Sequence, residues 1–201
     1  NTALRLVVYR SIVGALRLPE EMTGLEALQS IIDGLDSAAV AATGTDEAPG
    51  PPSDLRQVTV LGEVHVRTLL MASEVIFDDR VRAERTQEGC VRFSYVAPGS
   101  TTPRRYRCQP DMALDLPGLS PGERARIEAG LRPAYSSIHY HDPGYTQLGI
   151  KCPDEIRTGA EDGSEMGVWS FLRNPQRETN LRIRLDEYLP FGLESALIYV
   201  T

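Results

Sequence analysis

From residue 4 to residue 96 the apolar positions fall in short β-favouring runs, each cut off by glycine, aspartate or proline, and almost no window carries the three-to-four residue spacing of a helix. The runs occupy 4–8, 11–13, 15–18, 25–28, 30–32, 38–42, 58–61, 64–70, 75–77, 80–83 and 90–96. Strands this short are unstable singly. They need either antiparallel hairpin partners or a stack of equivalent neighbours.

A recurrence within the runs separates the two possibilities. "SIVG" at 11–14, "SIIDG" at 30–34 and "VTVLG" at 58–62 place glycines 20 and 28 residues apart, and the longer interval holds the insertion-like stretch "TGTDEAPGPPSD" at 43–54. Without that stretch the interval falls to 16, and the next equivalent turn, Asp78-Asp79 after "VIF", follows 16 or 17 residues later. A period near 16 to 20 with loops inserted at one corner is the mark of stacked coils, and an antiparallel sandwich requires none. Ile12, Ile31, Val60 and Ile76 are then expected to form one inward column at about 4.8 Å spacing. Glycine suits the corners through its access to positive φ.

On "SIVG", "SIIDG", "VTVLG" and "VIFDD", residues 4–96 resemble the right-handed parallel β-helix superfamily. The fold expected is mainly β: parallel β-helix coils over 1–97, then a smaller α+β region over 98–201. In that second region "APGSTTPRRYRCQPD" at 97–111 reads as loop, because three prolines exclude a central strand. Ser120-Pro121-Gly122-Glu123 is a capping-box start for a helix through "RARIEAGL", with Gly130 as its exit. "YSSIHY" and "YTQLGI" around Asp142-Pro143-Gly144 predict a strand pair, and Asn174-Pro175 opens a second helix ending at Pro190 or Gly192. Residues 195–200 read as a buried strand.

Charge and composition narrow the function classes. With a formal net charge of -7, the chain lacks the basic balance of a general nucleic-acid binder, and Arg104, Arg105 and Arg107 form only a local basic cluster. No apolar run approaches the length of a membrane span, and no secretion signal is visible. These readings leave the compartment open between cytoplasm and particle. Cys90, Cys108 and Cys152 fit neither a disulfide framework nor a zinc motif, so reduced and buried thiols are expected.

Candidate chemistry is sparse. His139 and His141, alternating on a strand, would share one face and are the best metal-ligand pair. The loop "GAEDGSEMG" at 159–167 collects Glu161, Asp162 and Glu165 without the ligand spacing of a calcium loop, and reads as a solvated acidic segment. No GxSxG or phosphate-binding glycine motif occurs, and no cofactor is implied. The β-helix resemblance implies a carbohydrate-active alternative, a polysaccharide lyase or hydrolase, in which Glu63, Glu74, Asp78 and Asp79 on successive rungs, with Arg67 and Arg80, would supply acid/base or calcium-binding groups, Asp78, Asp79 and Arg80 being the catalytic candidates, with a surface glycan as ligand.

The segments "CVRFSYVAPGSTTPRRYRCQPD", "HDPGYTQLGIKCPDEIRTGAEDGSEMGVW" and "LRIRLDEYLPFGLESALIYVT" are similar to a group of uncharacterised bacterial proteins in which β-helical coils precede such a tail, some accompanying phage-tail-like contractile particles. The resemblance implies a non-enzymatic structural or attachment module. Because the chain starts directly in strand-like sequence, a protein partner or the rest of a longer chain is expected to cap the first coil.

Overall fold

The computed structural model describes residues 4–19, 21–34, 37–43 and 48–197. The chain is mainly β, with parallel sheets and few helices. Three ladders account for the strands. The first joins β1 (Arg5–Tyr9), β4 (Gly24–Leu28), β7 (Ser53–Arg56), the second half of β9 (Val64–Ser73), β12 (Cys90–Arg92) and β14 (Arg104–Tyr106). The second joins β2 (Ile12–Val13), β5 (Ile31–Asp33), β8 (Thr59–Leu61), β10 (Ile76–Phe77) and β13 (Tyr95–Val96). The third joins β3 (Leu16–Leu18), β6 (Val40–Ala42), the first half of β9 and β11 (Val81–Arg85). All pairings between these strands are parallel, and the chain visits the ladders in the same order each time.

Register fixes what the core contains. In the first ladder Val8, Ala27, Leu55, Ala72 and Val91 lie side by side, and in the second Val13, Ile32, Val60, Phe77 and Val96 do. Leu16, Val40, Val64 and Val81 supply the third wall. All belong to or pack against one apolar cluster. Each strand alone is too short to persist, and the shared core is what holds it.

This register corrects the expected column. Ile12 and Ile31 are aligned, but their next neighbours are Thr59, Ile76 and Tyr95, and this column faces away from the shared core. Val60 belongs to the adjacent, inward column. The period-two alternation of strand side chains means that a one-residue offset reverses a position's face. The glycine corners are likewise offset: Asp33 pairs with Leu61, which aligns Gly34 with Gly62 and leaves Gly14 one position short, and only Gly62 of the three has positive φ, 109°.

The recurrent corner that matters lies one step earlier, between the first and second ladders. Arg10, Gln29, Gln57, Glu74, Phe93 and Arg107 each hold φ between 45° and 57°, and each follows directly on an aligned first-ladder strand. A non-glycine residue in this left-handed region costs about 1 kcal/mol. Polar side chains offset the cost by bonding from one corner to the next: Arg10 Nε donates to Gln29 Oε1 (2.8 Å), Gln29 Nε2 to Gln57 Oε1 (2.9 Å) and Gln57 Nε2 to Glu74 Oε2 (2.8 Å). The serine after the bend adds a local lock, Ser30 Oγ donating to Leu28 O (2.9 Å) and Ser94 Oγ to Arg92 O (2.7 Å).

Several other expectations are corrected. The 43–54 stretch does not end as loop, since Ser53 and Asp54 open β7 and pair with Leu25 and Glu26. The run 90–96 is two strands, broken by the bend at Phe93. Arg104–Tyr106 within the proline-rich stretch is a strand, and an edge one, where prolines nearby are tolerated. The expected pair around Asp142 exists only as isolated bridges, Tyr135 with Leu148 and Ser137 with Tyr145. Residues 195–197 form no strand, and 198–200 lie outside the described residues.

The helices of the C-terminal half are α1 (Asp111–Leu114), α2 (Pro121–Gly130), α3 (Asp154–Arg157) and α4 (Asn174–Tyr188). α2 begins with the expected capping box between Ser120 and Glu123, and α4 starts at the expected Asn174. Between them, residues 131–173 cover the outer face of the second ladder. Ile76 and Tyr95 pack there with Cys152, Ile156 and Met166, and Ile31 packs with Tyr145 and Val168.

The two ends of the ladders differ. At the β14 end the position aligned with the core residue Val91 is Arg105, which bonds Asp111 Oδ1 (3.1 Å), Ser100 O (2.9 Å) and Thr102 Oγ1 (2.7 Å), a charged plug anchored on α1. At the β1 end, β1, β2 and β3 each pair on one side only among the described residues. Leu6, Val13 and Leu16 are only partly buried there, and Leu4, Val7, Tyr9 and Ile12 are exposed.

Candidate functional site

Where the second ladder ends its fourth pass, Phe77 is followed by a bend at Asp78-Asp79 and then by Arg80. Asp79 Oδ1 accepts a hydrogen bond from the Arg80 backbone N–H (2.7 Å), which tightens the bend, and the Arg80 guanidinium reaches Glu63 Oε1 (2.9 Å). The three residues singled out in the sequence as alternative catalytic groups therefore stand together. They line an open cleft of about 310 Å³.

Tyr95, aligned with Ile76 on the next pass and only 2% exposed, also lines it. Ala97 and Pro98, and Arg132 and Pro133 just after α2, complete its lining. Sequence reading did not find Tyr95 or Arg132. No local motif marks them, because β13 and the residues after α2 meet only when the C-terminal half folds over the second ladder.

Burial pushes the Asp78 carboxyl above the usual aspartate value, against the opposing pull of Tyr135 and Arg132 and with a smaller push from Asp79. Burial also raises the Tyr95 phenol, again against Arg132. Arg132 thus acts electrostatically on both groups, yet no ion pair within 4 Å joins it to Asp78 or to Asp79 among the described residues. The hydroxyl of Tyr135 is fully buried beside Asp78 and makes no hydrogen bond of normal geometry.

The other sequence candidates resolve differently. His139 and His141 lie on an exposed turn, not on a strand, and His141 has φ 83° with its ring 4.2 Å from that of Tyr140 and tilted 53° to it. The alternation that would have aimed both imidazoles at one ion is absent. Among the described residues no three His, Cys, Asp or Glu side chains are grouped to hold a metal. The acidic loop is not simply solvated. Glu165 is 3% exposed and accepts from Asn174 Nδ2 (3.1 Å), Asp162 faces Arg173 (3.4 Å) and Glu161 faces Arg92 (3.4 Å). Cys108 and Cys152 are buried thiols with raised pKa values, Cys108 to about 11, whereas Cys90 is half-buried.

No helix among the described residues is long and apolar enough to cross a membrane. No protein-family model, no curated protein and no solved structure matches the chain.

Proposed function

We propose that the three parallel ladders are the three faces of a parallel β-helix, each pass of the chain forming one coil, and that the chain is a structural or attachment module joined to further polypeptide at its β1 end. The observation that carries the reading is the contrast between the two ends. Arg105 and Asp111 plug one, while at the other β1, β2 and β3 pair on one side only among the described residues, around an apolar cross-section.

Natural sheet edges are blunted by projecting charges. Here the first-pass arginines are turned back toward the second pass instead: Arg5 pairs with Glu26, Arg10 bonds Gln29, and Arg17 donates to Ala38 O (2.6 Å). The edge is left clear for strands that continue the ladders. Continuation would bury Leu6, Val13 and Leu16 completely and supply partners for the free backbone edge. This fits a rigid segment of a larger assembly, and so does the resemblance of the tail segments to uncharacterised bacterial proteins, some of which accompany phage-tail-like particles.

Amide hydrogen exchange tests the proposal. In the isolated chain the β1 amides should exchange quickly and those of β4 and β7 slowly, and in the native assembly the β1 amides should become protected. A native species of one chain's mass with fast-exchanging β1 amides would refute it, as would turnover of a polysaccharide by that species.

A further inference from the structure

On the reading of the β1 end as a junction with further polypeptide, we propose that the arriving segment is one more parallel coil with two specified contacts. Its residue aligned with Ser11 donates a backbone N–H to Ser11 Oγ, and its corner residue, aligned with Arg10, is a carboxylate or amide acceptor. A bond that repeats between passes points to the first contact. Ser30 Oγ accepts the Ser11 N–H (3.2 Å), Ser94 Oγ the Val75 N–H (3.0 Å) and Ser100 Oγ the Val81 N–H (3.0 Å), each donor lying 19 residues earlier, on the preceding pass. Ser30 and Ser94 follow left-handed corners, and each gives its own proton to the carbonyl two residues before it, Leu28 O and Arg92 O.

Ser11 is built the same way and lacks only the donor. It follows the left-handed Arg10, its hydroxyl donates to Tyr9 O (2.8 Å), and its carbonyl accepts the Ile31 N–H of the next pass (2.9 Å). A hydroxyl that donates keeps lone pairs to accept with, and among the described residues nothing donates to Ser11 Oγ. Arg10 specifies the second contact. Along the row of corners each bond runs from the earlier pass to the later one, so Gln29 and Gln57 accept from one side and donate to the other. A guanidinium only donates. Arg10 spends Nε on Gln29, and its other N–H groups make no hydrogen bond among the described residues, so the corner before it has to be an acceptor. Direction follows from the ladders, where every pairing is parallel at β1, β2 and β3. A second copy stacked head to tail would present Arg105 and Asp111 there instead of a strand edge.

The whole chain lengthened by one pass, a copy of residues 5–23 inserted between Leu4 and Arg5, tests the assignment at high effective concentration. Two versions are compared, one with Arg10→Glu within the copy and one with the copied arginine kept. Amide hydrogen exchange of the original β1 should slow about tenfold or more in the glutamate version and clearly less in the arginine version. Ser11→Ala in the original pass should remove about threefold to tenfold of that slowing, yet change β4 exchange little in the unlengthened chain. Unaltered exchange of β4 and β7 in both versions shows that the insertion has not disturbed the fold. Absence of slowing would overturn the proposal, as would equal slowing with arginine or no effect of Ser11→Ala. Protection of β1 in the unlengthened chain that grows with protein concentration would also overturn it, because a second copy would then cover the edge. Fast β1 exchange in the native assembly would remove the junction itself, a failure distinct from any result with the lengthened chain.

Discussion

The phenol of Tyr145 donates a 2.6 Å hydrogen bond to Oδ2 of Asp33, joining residues 112 apart in sequence. Asp33 closes β5, and Tyr145 belongs to the segment that covers the second ladder. Burial raises the phenol's pKa first, and the bond to Asp33 raises it further, so the proton stays on tyrosine and the bond is charge-assisted. Tyr145→Phe keeps the ring against Ile31 and Val168 and deletes only this bond. The expected loss is about 1.5–3 kcal/mol, read as a lower urea midpoint with unchanged m.

Gly167 shows how closely the same segment approaches the ladder. Its backbone N–H donates to Glu74 O (2.8 Å), its φ is 87°, and an added Cβ would sit 2.6 Å from Thr59 Oγ1 and 2.9 Å from Ile76 Cδ1. The next residue, Val168, donates its N–H to Thr59 Oγ1 (3.1 Å). Gly167→Ala combines left-handed strain with overpacking and should cost about 2–4 kcal/mol. Hydrogen exchange would show whether the loss begins in residues 131–173, as this geometry requires, with the core strands opening only later.

The polar side chains at the first-to-second ladder bends give a third test. Gln57 both accepts from Gln29 and donates to Glu74, so Gln57→Leu removes two bonds from the chain of corners and keeps a side chain in the left-handed region. A loss of about 1–3 kcal/mol is expected, or a fall of about 2–4 °C in Tm for each kcal/mol. An unchanged Tm would mean that the corner bonds only replace water.

These bends also explain what was legible in the sequence. "SIVG" and "SIIDG" do mark equivalent places, since Ile12 pairs with Ile31, because Ser11 and Ser30 both follow a left-handed corner. The corner residue itself varies among Arg, Gln, Glu and Phe, so its requirement is for φ and leaves no compositional signature. Parallel pairing could be inferred from the spacing of the runs. Which column faced the core could not, because residues 131–173 bury the outer face of the second ladder as well, and Ile31 and Ile76 look like core residues from either side. The cleft was half visible. Asp78, Asp79 and Arg80 are adjacent in sequence, but Tyr95 and Arg132 join them only through tertiary packing.

Glu165 supplies a pH-dependent prediction. Its carboxyl is buried beside Met166 and Ser164, accepts from Asn174 at the start of α4 and feels Arg157, whose guanidinium also pairs with Glu178 on α4 (3.0 Å). Burial raises its pKa from 4.5 to about 7, against the opposing pulls of Asn174 and Arg157. Between those two values the folded chain binds more protons at this site than the unfolded chain, so the site's contribution to stability falls as pH rises through that window. The span is on the order of 3 kcal/mol. Glu165→Gln keeps an acceptor for Asn174 and cannot ionise. Measured against the unsubstituted protein, the variant's relative Tm should rise between pH 5 and pH 8, and this difference isolates Glu165 from Asp162, whose lowered pKa acts in the opposite sense below about pH 4. A difference that stays flat across the window would show that solvent or Arg157 compensates the ionised carboxylate, and the start of α4 would then be docked independently of pH.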